Sequence, residues 1–298
     1  MNLRIVLTAL LALFCHQAQA AERLNLLLIT SDDMSCDSVG VYGCKLKDTT
    51  PNMDRLASQS LRFNHAFVQV GNCMPSRNVM YSGRYPHNNR VEGFYQIKDP
   101  DYPVLADLMK AAGYFTGIRG KVAHSTPYSP YPAWDVVLDT LPDGAPAHVK
   151  NVASYRISAE QGIAAAKKAG KPFYLNLNIS DPHKPFYNEG VRPDPNVPSR
   201  VFTAAEVPVP GFLPDDPAVR EELALYYPSV RRGADCLLAQ GELPRTARGG
   251  LRGAAAAQRS RRAERPARGG AREEPHQPAR HRGDRRPAAH RADGQGAL

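Results

Sequence analysis

The sequence predicts an α/β fold in which a mostly parallel sheet carries helices on both faces. The first observation is a continuous apolar run at 24–30 that ends in three polar residues, a pattern typical of a strand buried on both faces. The second is a repeated order of helix, glycine and strand, at 103–112 with 114–118 and again at 158–169 with 172–179. Because strands alternate with helices, the sheet should be parallel, and functional residues should gather beyond the carboxyl ends of its strands.

Residues 1–20 have the features of a secretory signal peptide. Arg4 supplies a positive charge, 5–14 is an apolar run, and 18–20 forms a cleavage site of small residues around a glutamine. The apolar run is too short to cross a bilayer as a helix. The protein is therefore expected to be exported, either to the periplasm or out of the cell, and to have no stable membrane anchor.

The remaining elements are predicted from local signals. Thr50 can cap a helix whose first position is Pro51, where the missing N–H of proline does no harm. The segment 61–70 is expected to be extended. The proline-rich segment 185–217 predicts a long surface excursion, and 216–232 predicts one more helix after it.

Two cysteines near the first predicted strand allow two interpretations. Cys36 and Cys44 lie eight residues apart and could form a disulfide in an exported protein. They could equally be two small buried side chains, and the sequence does not choose between these alternatives.

The composition changes at about residue 232. From residue 233 onward the chain contains no Ile, Val, Phe, Tyr, Trp, Met, Asn or Lys, and it cannot bury enough apolar surface to offset its conformational entropy. Two interpretations of 233–298 are a disordered basic tail and the translation of a GC-rich gene in a shifted reading frame. The second is favoured because the change falls inside a predicted helix, with no linker before it.

The basic charge of the chain does not indicate nucleic-acid binding. The formal net charge is +9, and the sixteen arginines and seven acidic residues from position 231 onward account for all of it. The part that is predicted to fold is therefore neutral and lacks the basic surface by which proteins bind nucleic acids. No nucleic-acid partner is expected.

The most specific motif begins at Cys73. It has the form C-x-P-S-R, followed by five residues and then Gly83-Arg84, so that its fixed positions extend over twelve residues. The motif resembles the segment of type I sulfatases in which the formylglycine-generating enzyme oxidises the cysteine to formylglycine, also called 3-oxoalanine. The chain is identified as a member of this family, and the resemblance implies the sandwich fold of the alkaline-phosphatase-like superfamily.

The resemblance implies how Cys73 and Arg77 act in sulfate hydrolysis. A sulfate monoester resists attack, so its hydrolysis needs a strong nucleophile, cations around the sulfate oxygens and an acid for the leaving group. In the family the hydrated formylglycine carries two hydroxyls, and one of them attacks sulfur. The other hydroxyl later loses its proton, which expels sulfate and regenerates the aldehyde. Arg77 falls in the first turn of a helix that opens at the motif, where a guanidinium and free amides can neutralise an oxyanion.

Two adjacent carboxylates, Asp32 and Asp33, follow the first predicted strand. Alone, such a pair more often caps a helix, but adjacent carboxylates repel each other unless a hard cation with oxygen ligands binds them. Together with the motif at Cys73, the pair is interpreted as a metal site. The resemblance implies one divalent ion, usually calcium, and makes Cys73, once oxidised, a further ligand.

Two further polar segments follow predicted strands. Lys121 and His124 lie in a Gly-Lys-x-x-His element that resembles one in the family, where the lysine contacts formylglycine and sulfate and the histidine takes the proton of the hydrated aldehyde. Asp181-Pro-His183 follows the strand 172–179. The resemblance implies that His183 contacts sulfate and donates a proton to the leaving group, while Asp181 orients it or binds substrate.

The resemblance covers about 22–232, so 21–232 is predicted to be the N-terminal part of a catalytic domain. The Asp-Pro-His segment at 181–183 and the proline-rich run 207–220 resemble heparan N-sulfatases (sulfamidases) and their bacterial relatives. The lysine–histidine spacing resembles that of iduronate sulfatases. The expected substrates are sulfate esters or sulfamates, as in glycosaminoglycan degradation, and both N-sulfated and O-sulfated glycans stay open.

The chain departs from the family after the last predicted helix. A sulfatase continues there into a strand that ends in D-H-G or D-N-G and supplies two more metal ligands, whereas no strand is predicted before Asp235, Asp284 or Asp293. The sheet should then be incomplete at its C-terminal side, and activity should be impaired. Two alternatives stay open: an inactive, exported remnant that binds ligands without catalysis, and a phosphoester or phosphonate hydrolase of the same superfamily, against which the C-x-P-S-R motif argues.

Overall fold

A four-stranded parallel sheet forms the core of the described part of the chain. The computed structural model describes residues 23–190 and 194–241, with side chains as far as Leu237, so the predicted signal peptide and most of the arginine-rich segment lie outside the described residues. The strands, in chain order, are β1 (Leu26–Asp32), β2 (Phe115–Arg119), β3 (Val136–Val137) and β4 (Phe173–Pro182). Their order in the sheet is β1-β4-β2-β3, and every neighbouring pair is parallel. The predicted α/β fold is confirmed.

Most of the helices follow the sequence signals closely. In the described part they are α1 (Pro51–Ala57), α2 (Cys73–Ser82), α3 (Pro86–Asn89), α4 (Leu105–Ala111), α5 (Val152–Lys168) and α6 (Pro217–Gly241). Helix α1 begins at Pro51, as predicted. Helix α5 begins six residues before its predicted start, because the side chain of Asn151 caps it by accepting a 2.8 Å hydrogen bond from the Ser154 N–H. The segment 61–70, expected to be extended, contains no strand.

Strand β4 has helices packed on both of its faces. Because side chains alternate along a strand, Leu175 and Leu177 share one face and Tyr174 lies on the other. The two leucines are fully buried in a cluster with Ala159 and Ile163 of α5. Tyr174 belongs to a second cluster that includes residues of α2 and α4. The prediction of helices on both faces of the sheet is therefore confirmed.

The last helix, α6, extends nine residues beyond its predicted end at Arg232. Ala234 and Cys236 are both buried, and Cys236 belongs to a cluster that includes Ile179 of β4. The Ala234 carbonyl also accepts a 3.1 Å hydrogen bond from Nδ2 of Asn52. The residues just after position 232 are thus packed against the rest of the fold.

Gly233 explains how closely α6 approaches the sheet. A Cβ atom at this position would lie 3.2 Å from Cβ and 3.3 Å from the carbonyl oxygen of Asp181, so a larger side chain would force the helix away from β4. The predicted end of this helix at residue 232 is therefore wrong, because 233–241 belong to the helix, and the domain boundary predicted at the same residue stays a prediction. The prediction was made from the composition of 233–298 as a whole, most of which (242–298) lies outside the described residues. The nine residues that continue the helix were therefore not recognised.

Neither interpretation of the two N-terminal cysteines holds. Cys36 and Cys44 are both free thiols, so they form no disulfide. Cys36 is exposed in a short 3-10 turn at Cys36–Ser38. Cys44 is half-buried, with its Sγ atom 3.5 Å from Oγ1 of Thr49.

The buried position of Ala234 predicts the effect of a charge there. We expect Ala234→Asp to lower the free energy of unfolding by more than about 2 kcal/mol, because the carboxylate would be buried without a partner. The matched change Ala218→Asp, on the exposed first turn of the same helix, should alter it by less than about 0.5 kcal/mol. Urea unfolding followed by circular dichroism measures both values. Equal, small effects of the two substitutions would mean that α6 is not packed beyond residue 232.

Candidate active site

Segments that follow β1 and β2 meet at the start of α2. Asp32 is the last residue of β1, and its Oδ1 lies 3.4 Å from Sγ of Cys73 and 3.1 Å from Nη2 of Arg77. Lys121 Nζ lies 2.5 Å from Asp32 Oδ2. Nδ1 of His124 lies 3.2 Å from the Cys73 sulfur. The structure thus brings together five of the residues that the sequence predicts for the site.

Local sequence explains why Cys73 stands at the start of α2. The side-chain oxygen of Asn72 accepts a 3.0 Å hydrogen bond from the Cys73 N–H and caps the helix. Pro75 falls in the first turn, where its missing N–H breaks no helical hydrogen bond. Gly83 ends the helix with a φ of 66°, a left-handed conformation that favours glycine. The cysteine therefore lies at the helix end where the dipole stabilises negative charge.

Arg77 lies one turn after Cys73 on the same side of α2, and it is 6 % exposed. Besides its contact with Asp32, its guanidinium donates to Oγ1 of Thr30 at 3.1 Å and to Oδ1 of Asn178 at 2.5 Å. A planar guanidinium held by three acceptors has little freedom to turn. Its positive charge is therefore fixed beside the cysteine.

Asn178 is a site residue that sequence reasoning missed. It is 1 % exposed in β4, and its Nδ2 donates to the backbone carbonyls of Arg119 at 3.1 Å and Gly120 at 2.8 Å. Its side chain therefore links β4 both to the end of β2 and to Arg77. The sequence did contain a signal for Asn178, because it is an amide in a strand predicted to be buried on both faces. A buried amide needs hydrogen-bond partners, so its side chain had to contact other polar groups.

Asp32 is a buried anion that pairs with two cations. It is 3 % exposed and contacts both Arg77 and Lys121. Burial by itself would raise the pKa of Asp32, but the contact with Lys121 and the charge of Arg77 outweigh burial and hold the pKa below its ordinary value. Within the described part of the chain Oδ2 has no directed hydrogen bond, so its contact with Lys121 is an ion pair. Asp32 is therefore an anion at neutral pH.

A tight turn after β2 directs Lys121 and His124 toward Cys73. Gly120 and Lys121 have left-handed φ values of 67° and 52°, and a 3-10 turn follows that ends at His124. A Cβ atom on Gly120 would lie 3.0 Å from the carbonyl oxygen of Asn178. Both its positive φ and this close approach to β4 favour glycine at position 120.

His124 is placed to accept a proton. Its ring is packed edge-on against Phe94, with 5.5 Å between the ring centroids. Burial lowers the pKa of His124, and the charges of Lys121 and Arg77 lower it further. The imidazole is therefore neutral at neutral pH, which is the form that can take a proton from a group at position 73.

The unmodified thiol of Cys73 is poorly suited to act as a nucleophile. Burial raises the pKa of this thiol above its ordinary value, although the nearby charge of Arg77 opposes the shift. Such a thiol is protonated at neutral pH, whereas cysteine nucleophiles act as thiolates with lowered pKa values. The surroundings of the sulfur instead offer cations and a neutral base.

His183 and Asp33 lie at the rim of the site. Nε2 of His183 is 3.8 Å from Oδ2 of Asp33, and the two side chains are 41 % and 60 % exposed. Nδ1 of His183 donates to the carbonyl oxygen of Lys184 at 2.6 Å. His183 is close enough to contribute to the lowered pKa of His124, but among the described contacts none joins it to Cys73.

Both carboxylate oxygens of Asp181 are held in buried ion pairs. Asp181 is 1 % exposed, with Lys150 Nζ 2.7 Å from its Oδ1 and Arg232 Nε 2.6 Å from its Oδ2. Neither oxygen is open to a substrate, and neither pairs with the ring of His183, so this position argues against the predicted role in substrate binding. The sequence could not show this, because the two partners lie 31 and 51 residues away.

The carboxylates fit a divalent ion only in part. Asp32 and Asp33 supply adjacent oxygens, which suits a hard cation, although the buried Oδ2 of Asp32 already pairs with Lys121 Nζ at 2.5 Å. Asp33, however, has a φ of 60° and an exposed carboxylate. Across 23–190 and 194–241, no group of three or more His, Cys, Asp or Glu side chains is arranged to hold a metal ion.

Comparisons with known proteins agree with the motif at Cys73. The family model described as Sulfatase matches residues 24–203. Iduronate 2-sulfatase of Homo sapiens is 32 % identical over 246 residues, which cover 66 % of this chain and 44 % of that protein. N-sulphoglucosamine sulphohydrolase of Homo sapiens is 30 % identical over 232 residues, which cover 70 % of this chain and 44 % of that protein. The chain spans about half the length of these relatives.

The fold is shared with solved structures. Phosphonate monoester hydrolase of Agrobacterium radiobacter has a TM-score of 0.55 at 19 % identity, over 76 % of this chain and 60 % of that one. The sulfatase PsFucS1 of Pseudoalteromonas has a TM-score of 0.52 at 18 % identity, over 83 % of this chain and 57 % of that one. At these identities the likeness concerns the fold alone. The family model, in contrast, covers well over half of the sequence, and the chain belongs to the sulfatase family.

Proposed function

We propose that this chain is a sulfatase that hydrolyses sulfate esters or sulfamates of sulfated glycans. One observation carries the proposal: Cys73, within the C-x-P-S-R motif, begins a helix beside two cations and lies 3.2 Å from Nδ1 of His124. The substrate class is supported by the relatives, which include an iduronate 2-sulfatase and an N-sulphoglucosamine sulphohydrolase. Because the chain covers 44 % of each of those proteins, its own turnover is part of the proposal.

Each residue of the site has a role in this proposal. Formylglycine formed from Cys73 would supply, once hydrated, the hydroxyl that attacks sulfur. Arg77 and Lys121 stabilise the negative charge of the sulfate oxygens, a task that suits cations fixed in a buried site. His124, neutral at neutral pH, accepts a proton at Nδ1 from the group at position 73. His183 donates a proton from Nε2 to the leaving oxygen or nitrogen.

A calcium ion held by Asp32 and Asp33 belongs to the same proposal. Such an ion would stabilise negative charge on the oxygens of the nucleophile and of sulfate. Within the described residues these two carboxylates have no third ligand of the His, Cys, Asp or Glu type arranged with them. We therefore expect the ion to bind weakly, since calcium prefers six to eight oxygen ligands.

Export and covalent modification complete the proposal. The predicted signal peptide at 1–20 supports an exported sulfatase, and the motif at 73–84 supports a formylglycine-generating enzyme as a transient partner. In the ranges that the structure describes, no helix combines the length and the apolar character needed to cross a membrane. A sulfated glycan is the proposed substrate.

Mass spectrometry of the peptide that contains residue 73 tests the nucleophile, using protein produced together with a formylglycine-generating enzyme. We expect the sulfur to be replaced by oxygen and 4-nitrophenyl sulfate to be hydrolysed. Cys73→Ala should lower kcat/KM by more than about a thousandfold, because it removes the nucleophile. Cys36→Ala, which removes an exposed free thiol, is the matched control and should leave the rate unchanged. Unmodified Cys73 without turnover would favour a non-catalytic remnant, and full activity of Cys73→Ala would contradict the mechanism.

Asp32 and Asp33 should respond differently to substitution. Without calcium, Asp32→Asn should lower the free energy of unfolding by about 3 kcal/mol, because Arg77 and Lys121 lose their buried anion. Asp33→Asn, at the exposed neighbour, should change it by less than about 0.5 kcal/mol. Added calcium should raise the melting temperature of the wild type and of neither variant. Equal stabilisation of Asp33→Asn and the wild type by calcium would exclude Asp33 as a ligand.

A further inference from the structure

A second group of buried charges lies at the end of β4. Its four members alternate in sign along a chain of ion pairs: Lys150, Asp181, Arg232 and Asp194. Lys150 Nζ lies 2.7 Å from Asp181 Oδ1, and Arg232 Nε lies 2.6 Å from Asp181 Oδ2. Nη1 of Arg232 lies 2.6 Å from Oδ2 of Asp194. The central side chains, those of Asp181 and Arg232, are each 1 % exposed.

This cluster joins three elements of the fold. Lys150 lies just before α5, Asp181 belongs to β4, and Arg232 belongs to α6. Removing charges from water is costly even when they are paired, and an apolar replacement is often equally stable. Stability alone therefore does not explain the cluster. Its role is better sought in the backbone positions that its ion pairs fix.

Lys150 connects the cluster to His183. Besides its contact with Asp181, its Nζ donates a 2.6 Å hydrogen bond to the backbone carbonyl of His183. The short turn at 181–183 is held by two other hydrogen bonds. Oγ of Ser31 donates to the Asp181 carbonyl at 2.7 Å, and the His183 N–H donates to the Ser180 carbonyl at 3.0 Å. Lys150 thus binds the side chain of Asp181 at the start of the turn and the carbonyl of His183 at its end.

The imidazole of His183 depends on this turn for its position. The ring is half exposed, and within the described part of the chain its polar partners are the adjacent Lys184 carbonyl and Asp33, whose Oδ2 lies 3.8 Å from Nε2. Neither partner is a buried side chain that could hold the ring by packing. A shift of the backbone at position 183 would therefore carry the ring with it.

We propose that Lys150 is a positioning residue for His183, and that Arg232 holds Asp181 so that Lys150 is directed at the His183 carbonyl. The inference rests on the proposed function in one respect, the role of His183 as proton donor to the leaving group. Among the described residues, no hydrogen bond or ion pair joins the Lys150 side chain to the cysteine or to the ring of His183. Removal of this side chain should therefore act on the protonation of the leaving group and leave the nucleophile intact.

Two aryl sulfates that differ in leaving group test this effect. 4-Nitrophenyl sulfate releases a stable anion that needs little protonation, whereas phenyl sulfate needs an acid. We expect Lys150→Met to lower kcat about a hundredfold for phenyl sulfate and less than about threefold for 4-nitrophenyl sulfate. The variant should fold, because Asp181 keeps its pair with Arg232. Lys150→Arg, which retains a cation and donors, should recover most of the lost rate.

Lys167→Met is the matched control, because Lys167 lies on the exposed side of α5. It should leave both rates unchanged. His183→Ala should reproduce the selective loss on phenyl sulfate, and its failure to do so would overturn the proton-donor role. A loss of equal size on both substrates in Lys150→Met would overturn the positioning role.

A measurement that needs no turnover separates the two roles. Heteronuclear NMR of the histidine side chains, recorded with both ring nitrogens of His183 protonated as proton donation from Nε2 requires, should show the Nδ1–H of the wild type hydrogen-bonded to the Lys184 carbonyl. Lys150→Met should weaken this hydrogen bond, so that the Nδ1 proton exchanges faster with water, and it should leave the signals of His124 unchanged. An unchanged exchange rate of the Nδ1 proton in a folded Lys150→Met protein would overturn the positioning role, whatever the enzyme assays show.

Discussion

The buried carboxylate of Asp32 is the interaction on which the rest of the site depends. Arg77 and Lys121 reach it from different segments, and without an anion between them two cations could not be held together in a buried place. Because Asp32 ends β1, the sheet itself fixes its position. Sγ of Cys73 lies 3.4 Å from the same carboxylate. The proposed nucleophile and the two cations that would stabilise sulfate therefore all contact Asp32.

The two groups of buried charges, around Asp32 and around Asp181, differ in net charge, and the difference matches their proposed roles. Around Asp32, the cations Arg77 and Lys121 outnumber the buried anion, while the carboxylate of Asp33 is exposed and screened by water. The excess positive charge suits an anionic substrate. The cluster around Asp181 alternates evenly in sign and has no charge left for a ligand. The first group therefore suits the proposed sulfate site, and the second suits the proposed positioning of the turn at His183.

Much of the site could be predicted because its parts follow strands or belong to a fixed motif. Asp32 directly follows an apolar run, and Cys73 lies in a motif whose proline and glycine have a clear helical purpose. The supporting residues could not be found in this way. Asn178, Lys150 and Arg232 contact partners 101, 31 and 51 positions away, pairings that depend on how the helices pack on the sheet. The end of α6 was missed because composition averages over a long segment and does not detect a few packed residues.

Crystallography of the protein with bound sulfate tests the central claim most directly, since that claim is a sulfate site built around an oxidised residue 73. We predict density for oxygen and none for sulfur on the Cβ atom of this residue, within hydrogen-bond distance of Nδ1 of His124. The sulfate should contact Lys121 and His183. An intact Cys73 thiol, with sulfate bound away from these side chains, would contradict the claim.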